Sequence, residues 1–447
     1  MSPIILFLFW FILFSLQTPP SYSQTVAQTI SLKEALRLAK ERNLELKAQE
    51  RFVQASQLEK ESAKGAYFPV FRFEETYAKT DLPANVFFYK LNQGKMEAKD
   101  FEVKRLNSPS SYENFETKFV LELPIWLGGK IQALNKLSEL RLLSTESLKL
   151  RKTDEILFET YLAYLWIFLN KQAVKVAETS IAEAEEHLRV AQARFRAGLA
   201  LEADVYRAEV YLAKAKESRD VAINNLNLAK RRLEVLVNTK LLPFDIEELQ
   251  ACPTVEEEKY LQIALKKRPD LKALDYEIKA LDEQRKVVLS ENLPQISGFA
   301  EYSMNGRNYP FENQGDGYTV GIKFVWRFDT GLTVLKKASA TVEQKSALLE
   351  RYKYLQDNIA LEVESAISDY RNALTKLRSA EERVKHAKEV VRVMQTRYSA
   401  GLVRMVDLLD SQTQLDLARF ERIEAIKACH EAFAKLLFAS SSFEELL

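Results

Sequence analysis

The sequence RFRAGL at residues 194–199 recurs 203 residues later as RYSAGL at residues 397–402. Each copy lies inside a long segment, 130–242 or 332–447, that has no proline and no glycine besides the one in the copy. Because helices usually end at glycine or proline, each segment predicts two long helices joined by a turn at that glycine. At 1.5 Å per residue, the first helix of each pair would be on the order of 100 Å long.

Apolar residues in both segments recur at alternating spacings of four and three, which is the pattern of a coiled-coil seam. In the second segment this seam runs from Ile359 to Tyr398 without a slip, and most of the matching positions in the first segment, Ile156 to Phe195, are also apolar. The chain is therefore predicted to be an internal duplication, and each repeat contains one long helical hairpin.

Four further segments switch to the period of two that is typical of β-strands. They lie at about 67–78, 115–126, 294–305 and 318–329. Each is long enough to cross an outer membrane as a tilted strand. Four strands cannot close a membrane barrel, so either they form a small soluble sheet or several chains contribute four strands each. The polar stretch 81–112 between the first two strands predicts a long loop.

Composition excludes several classes of function. The chain has 447 residues, with 64 Lys and Arg against 63 Asp and Glu, and this balance argues against a nucleic-acid-binding surface. Two cysteines and three scattered histidines are too few for a cysteine-based metal site, and no nucleophile elbow or phosphate loop occurs. We therefore expect no enzyme activity, no cofactor and no metal site. Whether Cys252 and Cys429 form a disulfide or remain free thiols stays open.

Residues 1–23 carry no charged side chain and combine a short apolar run with small residues before Gln24. This pattern predicts a signal peptide that is cleaved before Gln24, and therefore an exported protein. After residue 23, no stretch approaches the ~18 apolar residues of a membrane-spanning helix.

The ordered set of motifs resembles the TolC family of outer-membrane efflux proteins over nearly the whole mature chain. The resemblance is carried by the two tip motifs, by the segment Val406–Gln412 after the second tip, and by Leu123–Gly129, which matches the strand-to-helix junction of the family. It implies a mainly α fold with transmembrane β-strands, in which three chains form a 12-stranded outer-membrane β-barrel continuous with a long periplasmic α-helical barrel.

The resemblance also implies an organisation along the chain. Repeat 1 would cover 24–250, with a helical hairpin at 130–238, and repeat 2 would cover 251–447, with a hairpin at 331–438. An equatorial belt would come from about 239–260 and the chain ends.

The implied function is the outer-membrane exit duct of a tripartite efflux or type I secretion system. Its partners would be two further copies of the chain, a periplasmic adaptor (membrane fusion) protein, an inner-membrane transporter of the RND or ABC type, and outer-membrane lipid, but no nucleic acid. The alternative function is an exported periplasmic coiled-coil adaptor or scaffold without a channel.

Three sets of residues are candidates for function. The resemblance implies a periplasmic gate at the helical tips, formed by Asp407, Asp410, Asp204, Tyr398 and Arg404. It implies an adaptor-docking tip formed by Arg194, Gly198, Leu199, Arg397, Gly401 and Leu402. It implies a strand-helix junction formed by Pro124, Gly128, Gly129 and Gly331.

The two acids after the second tip can also be interpreted from the sequence itself. Asp407 and Asp410 are three residues apart, so on a helix they lie on one face, and in a trimer each would form a ring of three carboxylates. For Asp407 the alternative is a simple interaction with the helix N-terminus, which favours acidic residues. Asp410 lies too far into the helix to gain much from that interaction, so the channel interpretation is stronger there.

Overall fold

The computed structural model of the chain describes residues 28–241, 244–249 and 252–447. The predicted signal peptide, 1–23, lies outside the described residues. Part of the predicted belt segment, 239–260, is also outside them.

The described chain is mostly helical with few strands. Its helices are α1 (Leu32–Arg42), α2 (Leu44–Gly65), α3 (Pro83–Asn92), α4 (Val103–Asn107), α5 (Lys130–Arg196), α6 (Glu202–Leu236), α7 (Glu257–Lys267), α8 (Pro269–Leu289), α9 (Thr333–Ser399) and α10 (Met405–Ser440). Its strands are β1 (Gln28–Ile30), β2 (Val70–Thr80), β3 (Tyr112–Leu127), β4 (Phe244–Ile246), β5 (Gln295–Gly306) and β6 (Gly315–Val325).

Two helical hairpins dominate the molecule. Hairpin 1 consists of α5 and α6, hairpin 2 consists of α9 and α10, and α5 and α9 both contain 67 residues. α5 packs between α6 and α10, and α10 packs between α5 and α9. The four helices therefore lie side by side in the order α6, α5, α10, α9, which leaves α6 and α9 at the two flanks of the chain.

Small residues let the hairpin helices approach closely. The buried side of α6 is a stripe of alanines spaced by seven residues, Ala208, Ala215, Ala222 and Ala229. In α9, the seam positions Ile359, Val363 and Ala366 are buried, and the seam continues to Tyr398. An alanine seam offers little apolar area to each contact, so the stability of these helices depends on the length over which they pack.

The four long strands form one antiparallel sheet in the order β2-β3-β5-β6. The register of β3 against β5 shifts between Pro124 and Trp126, because proline has no N–H to donate to the ladder. β2 and β6 are the edge strands of this sheet. A second, two-stranded sheet pairs β1 with β4 in parallel.

The prediction of a long loop at 81–112 is wrong, because this region contains α3, a short 3₁₀ turn and α4. Side chains distant in sequence hold it in place. Gln93 Nε2 donates to the carbonyls of Glu113 and Gly306, at 3.0 and 3.1 Å, and Lys90 Nζ lies 2.7 Å from a carboxylate oxygen of Asp100. The loop is thereby folded against the ends of β3 and β5.

Cys252 and Cys429 form a disulfide, with Cα atoms 6.0 Å apart across 177 residues of sequence. Cys429 is fully buried in a cluster that includes Tyr161, Phe433 and Phe443. The Tyr370 hydroxyl donates to the carbonyl of Pro253, next to the disulfide. The disulfide therefore fastens the segment before α7 to hairpin 2.

Within the described ranges, no helix has both the length and the apolar composition needed to span a membrane.

Candidate channel mouth at the helical tips

Both hairpins turn in the same way. Gly198 and Gly401 have φ angles of +72° and +78°, a left-handed conformation that glycine adopts without steric cost. The next residue in each tip donates its N–H back into the helix, from Leu199 to the Arg194 carbonyl at 2.8 Å and from Leu402 to the Arg397 carbonyl at 2.9 Å. These are the bonds that satisfy carbonyls at a helix end. The glycines therefore have a structural role in the tips, whatever else they contact.

The residues that follow the glycines leave apolar side chains in solvent. Leu199 is 68% exposed and Leu402 is 75% exposed, and no packing within the described chain covers them. Exposed leucines at the ends of two long hairpins are candidates for contact with another protein.

The two tip arginines have different environments, although they are equivalent in the repeat. Arg194 Nη1 donates to the carbonyls of Tyr398 and Ser399, at 2.8 and 2.9 Å, and its guanidinium lies 5.0 Å from the centre of the Tyr398 ring. Arg397 is exposed. Hairpin 1 therefore holds the tip of hairpin 2 through one arginine.

Asp407 lies in the first turn of α10 and caps it. One carboxylate oxygen accepts from the Arg404 backbone N–H at 3.1 Å, and the Arg404 guanidinium donates to the other at 3.1 Å. The hydrogen bond from Arg404 holds the pKa of the Asp407 carboxyl below its usual range. Asp204 has the same position in α6, where it accepts from the Leu201 N–H at 3.4 Å. Both acids thus perform the capping that a helix start favours.

The remaining gate candidates lie close by but are not joined to one another. Asp410 is exposed, one turn beyond Asp407. Tyr398 is buried, and its hydroxyl has no hydrogen-bond partner in the part of the chain that the structure describes. Burial and the nearby Asp204 carboxylate raise the pKa of Tyr398. The structure therefore brings Arg194, Tyr398 and Asp204 together and pairs Arg404 with Asp407.

A polar network behind the tips was not predicted from the sequence. The guanidinium of Arg419, on α10, donates to both carboxylate oxygens of Glu183, on α5, at 2.7 and 2.8 Å. Gln412 Nε2 donates to the same Glu183 at 2.6 Å, and Tyr211, on α6, donates to Asp416. The three- and four-residue spacing from Gln412 to Arg419 places these side chains on one helix face, and this spacing was the available sequence signal.

The strand-helix junction turns at two left-handed glycines in repeat 1 and at a different residue type in repeat 2. Gly128 and Gly129 have φ angles of +64° and +79°, and a Cβ on Gly128 would lie 2.7 Å from the Leu293 Cβ, so no larger residue fits there. In repeat 2 the left-handed residue is Leu332, with φ of +55°, which directly follows the junction candidate Gly331. Asp329 holds this turn, because its carboxylate accepts from the N–H of Val334 at 2.8 Å.

Comparisons with known proteins agree on one family. Residues 260–440 match the family described as outer membrane efflux protein. The chain is 22% identical over 347 residues to the alkaline protease secretion protein AprF of Pseudomonas aeruginosa, which covers 75% of this chain and 71% of AprF.

Solved structures match over almost the full length. The CusC structure, at 12% identity, superposes with a TM-score of 0.79 over 93% of both chains. The outer membrane protein VceC of Vibrio cholerae, at 14% identity, gives 0.75 over 92% of this chain and 95% of VceC. The fold is therefore shared with these structures over about nine tenths of the chain.

Proposed function

Because residues 260–440 match the outer membrane efflux protein family and the chain is similar to AprF, we propose that three copies of the chain form the exit duct of a tripartite efflux or type I secretion system. The duct resides in the outer membrane, with most of the chain in the periplasm. It carries cargo outward from a periplasmic adaptor and an inner-membrane transporter of the RND or ABC type.

The main support for the trimer is the sheet β2-β3-β5-β6, which ends in two edge strands. On β6, the outward residues Tyr318, Val320, Ile322 and Phe324 are all exposed apolar side chains. An open sheet edge cannot persist in lipid, where every backbone N–H and carbonyl must be bonded. If β6 of one chain pairs with β2 of the next, three chains close a barrel of twelve strands. Two chains would give eight, a barrel whose interior is normally filled by side chains.

The same closure applies to the helices. Each chain presents α6 and α9 as free flanks, so α9 of one protomer can pack on α6 of the next. Three chains would then give a tube of twelve helices, with walls on the order of 100 Å long where α5 and α9 run. The two repeats of each chain, 24–250 and 251–447, would supply alternating hairpins to this tube, with the equatorial belt around it.

The acidic residues at the tips support a gate at the periplasmic entrance. In a trimer, Asp407 and Asp410 become two rings of three carboxylates, and converging carboxylates attract cations. The carboxylate of Asp407 is paired with the Arg404 guanidinium, whereas Asp410 is exposed. Tyr398 and Asp204 would close the gate by linking neighbouring hairpins, since the Tyr398 hydroxyl is buried near the Asp204 carboxylate and has no hydrogen-bond partner among the described residues.

The exposed leucines of the tips support docking of the adaptor. Leu199 and Leu402 lie next to the glycines that end α5 and α9, at the far end of the molecule from the sheet. An adaptor that seats its own helical tips between the hairpins would bury these leucines, with Arg194 and Arg397 beside them.

The test of the assembly is the migration of the outer-membrane protein in detergent gels with and without heating. We expect a trimer that resists detergent at low temperature and converts to a monomer on heating, and extraction from membranes only with detergent. A protein released by salt or osmotic shock, and monomeric before heating, would contradict the proposal and would fit a periplasmic scaffold.

A further inference from the structure

The two tips of one chain are built from equivalent residues, yet only one of them is bonded by an arginine of the other hairpin. At tip 2 (residues 397–402), the Arg194 guanidinium contributed by hairpin 1 bonds the carbonyls of Tyr398 and Ser399. In tip 1 (residues 194–199), Arg194 donates to the Leu199 carbonyl at 3.5 Å, but no arginine of hairpin 2 reaches this tip among the described residues. The repeat counterparts of the two bonded carbonyls are those of Phe195 and Arg196.

Space and exposure at the two glycines show the same difference. A Cβ on Gly401 would lie 3.3 Å from Arg194 Nη2, whereas a Cβ on Gly198 would meet nothing within 4 Å. Tyr398 is 4% exposed beneath Arg194, and its counterpart Phe195 is 44% exposed. Tip 1 therefore has an open position where tip 2 holds a guanidinium.

The first turns of α6 and α10, beyond the tips, also differ in burial, and the residue of hairpin 2 is again the more buried one. Leu409, on α10, is 7% exposed because it packs in a cluster with Ala191 of α5. Tyr206, its counterpart on α6, is 57% exposed. In hairpin 2, the α10 side packs against hairpin 1. The equivalent side of hairpin 1, that of α6, has no such neighbour among the described residues.

A second copy of this chain can supply the missing neighbour. Arg397, the repeat counterpart of Arg194, is exposed at the end of α9 and therefore on one free flank of the chain. Tip 1 lies on the other free flank. In a closed ring, the α9 flank of one protomer meets the α6 flank of the next, which brings Arg397 to the open position of tip 1.

We propose that Arg397 of each protomer donates to the carbonyls of Phe195 and Arg196 of the neighbouring protomer and covers that Phe195 ring. The proposal rests on the trimer under Proposed function. Six tips would then be held by six arginines, three acting within chains and three between them. Carbonyls at a helix C-terminus carry partial negative charge and favour a cation, and the guanidinium fork can bond two of them. The side chain of Arg196 is exposed, so its charge extends into solvent.

Photo-cross-linking of purified trimers without adaptor tests the proposal. A benzophenone amino acid replaces residue 397, and the same replacement of residue 194 is the matched control. Trimers are assembled from chains of light and heavy isotope composition, and the cross-linked peptides are identified by mass spectrometry. This design leaves the native disulfide undisturbed, which an engineered cysteine pair would not.

We expect the residue-397 probe to join light and heavy chains at residues 195–199, and the residue-194 probe to stay within one chain at residues 398–402. A second measurement is the temperature at which the trimer dissociates. Arg397→Ala should lower it, Arg397→Lys should restore only part of the loss, and Phe195→Ala should add little to Arg397→Ala.

The two proposals fail in different ways. If the protein is a trimer but the residue-397 probe reacts only within its own chain, or the Arg397→Ala trimer dissociates at the wild-type temperature, the arginine contact is wrong and the duct is unaffected. If no trimer forms, both proposals fail.

Discussion

Hairpin 1 and hairpin 2 contain the same tip motif and first helices of equal length, yet their second helices, α6 and α10, are buried to very different extents. α10 buries residues on two sides because it lies between α9 and α5, whereas α6 buries little more than one stripe of alanines. Hairpin 2 is also fastened by the Cys252–Cys429 disulfide, which has no counterpart in hairpin 1. Equivalent sequences thus have different environments within one chain. In the proposed trimer, the neighbouring protomer would make these environments alike.

The largest effect is expected from Leu199 and Leu402, the exposed leucines that both tips share. Leu402→Asp should leave trimers assembled but abolish efflux and cross-linking to the adaptor, because a carboxylate cannot be buried in an apolar contact without a partner. Leu199→Asp should do the same if the adaptor uses both tips. Complementation of a deletion strain and adaptor cross-linking are the measurements.

Leu402→Met is the matched control, since it keeps an apolar side chain of similar volume. Normal efflux in Leu402→Asp would remove this tip from the docking surface. A defect in Leu402→Asp with none in Leu199→Asp would show that the adaptor distinguishes the two hairpins.

The disulfide predicts the next largest effect, confined to hairpin 2. Replacing Cys252 and Cys429 together by serine should destabilise the protein by about 2–4 kcal/mol, since the cross-link restricts the unfolded chain. Denaturation in guanidinium chloride measures the loss, and hydrogen exchange locates it. Faster exchange in α10 with α6 unchanged would support the contrast between the hairpins, and an equal change in both would contradict it.

A smaller effect is expected from the arginine that holds tip 2. Arg194→Ala removes the hydrogen bonds from a charged guanidinium to two backbone carbonyls. A hydrogen bond of this kind contributes about 1.5–3 kcal/mol when it is well formed. Amide exchange at residues 398–402 should accelerate. In the dissociated chain, Arg397→Ala should change exchange at neither tip, because Arg397 is exposed there, so equal effects of the two substitutions in monomers would contradict the asymmetry.

The smallest effect concerns the charge at the mouth. Arg404→Ala removes the guanidinium that holds the pKa of Asp407 down, so this pKa should rise toward the usual range of an aspartate. The stability that the pair contributes is present above the usual Asp pKa and is lost as pH falls through the lowered one. Cation block measured between about pH 5 and pH 3 should therefore fade at a higher pH in the variant than in the wild type. Identical profiles would show that Arg404 does not tune the mouth.

The local elements follow directly from the sequence, because their signals are local. Long segments without proline or glycine, interrupted once at Gly198 and once at Gly401, determine the helices, and the period of two determines the strands. The left-handed position at the second junction falls on Leu332 because the Asp329 carboxylate, and not a glycine, holds that turn.

Contacts between distant residues could not be predicted in the same way. The disulfide joins residues 177 apart, and the folded region at 81–112 depends on Gln93 reaching Gly306 on another strand. The difference between the two tips is the clearest example. Arg194 and Arg397 occur in matching motifs, so only the packing of α5 against α10 reveals that one is engaged and the other is exposed.

In the proposed duct, acids of hairpin 2 line the mouth and make it prefer cations. Single-channel recording of purified trimers in planar bilayers measures this preference. The wild type should show discrete steps, prefer cations and be blocked by multivalent cations, and Tyr398→Phe should raise the conductance by weakening closure. The double variant Asp407→Ala with Asp410→Ala should lose both the cation preference and the block. A double variant that keeps the wild-type selectivity would contradict the claim.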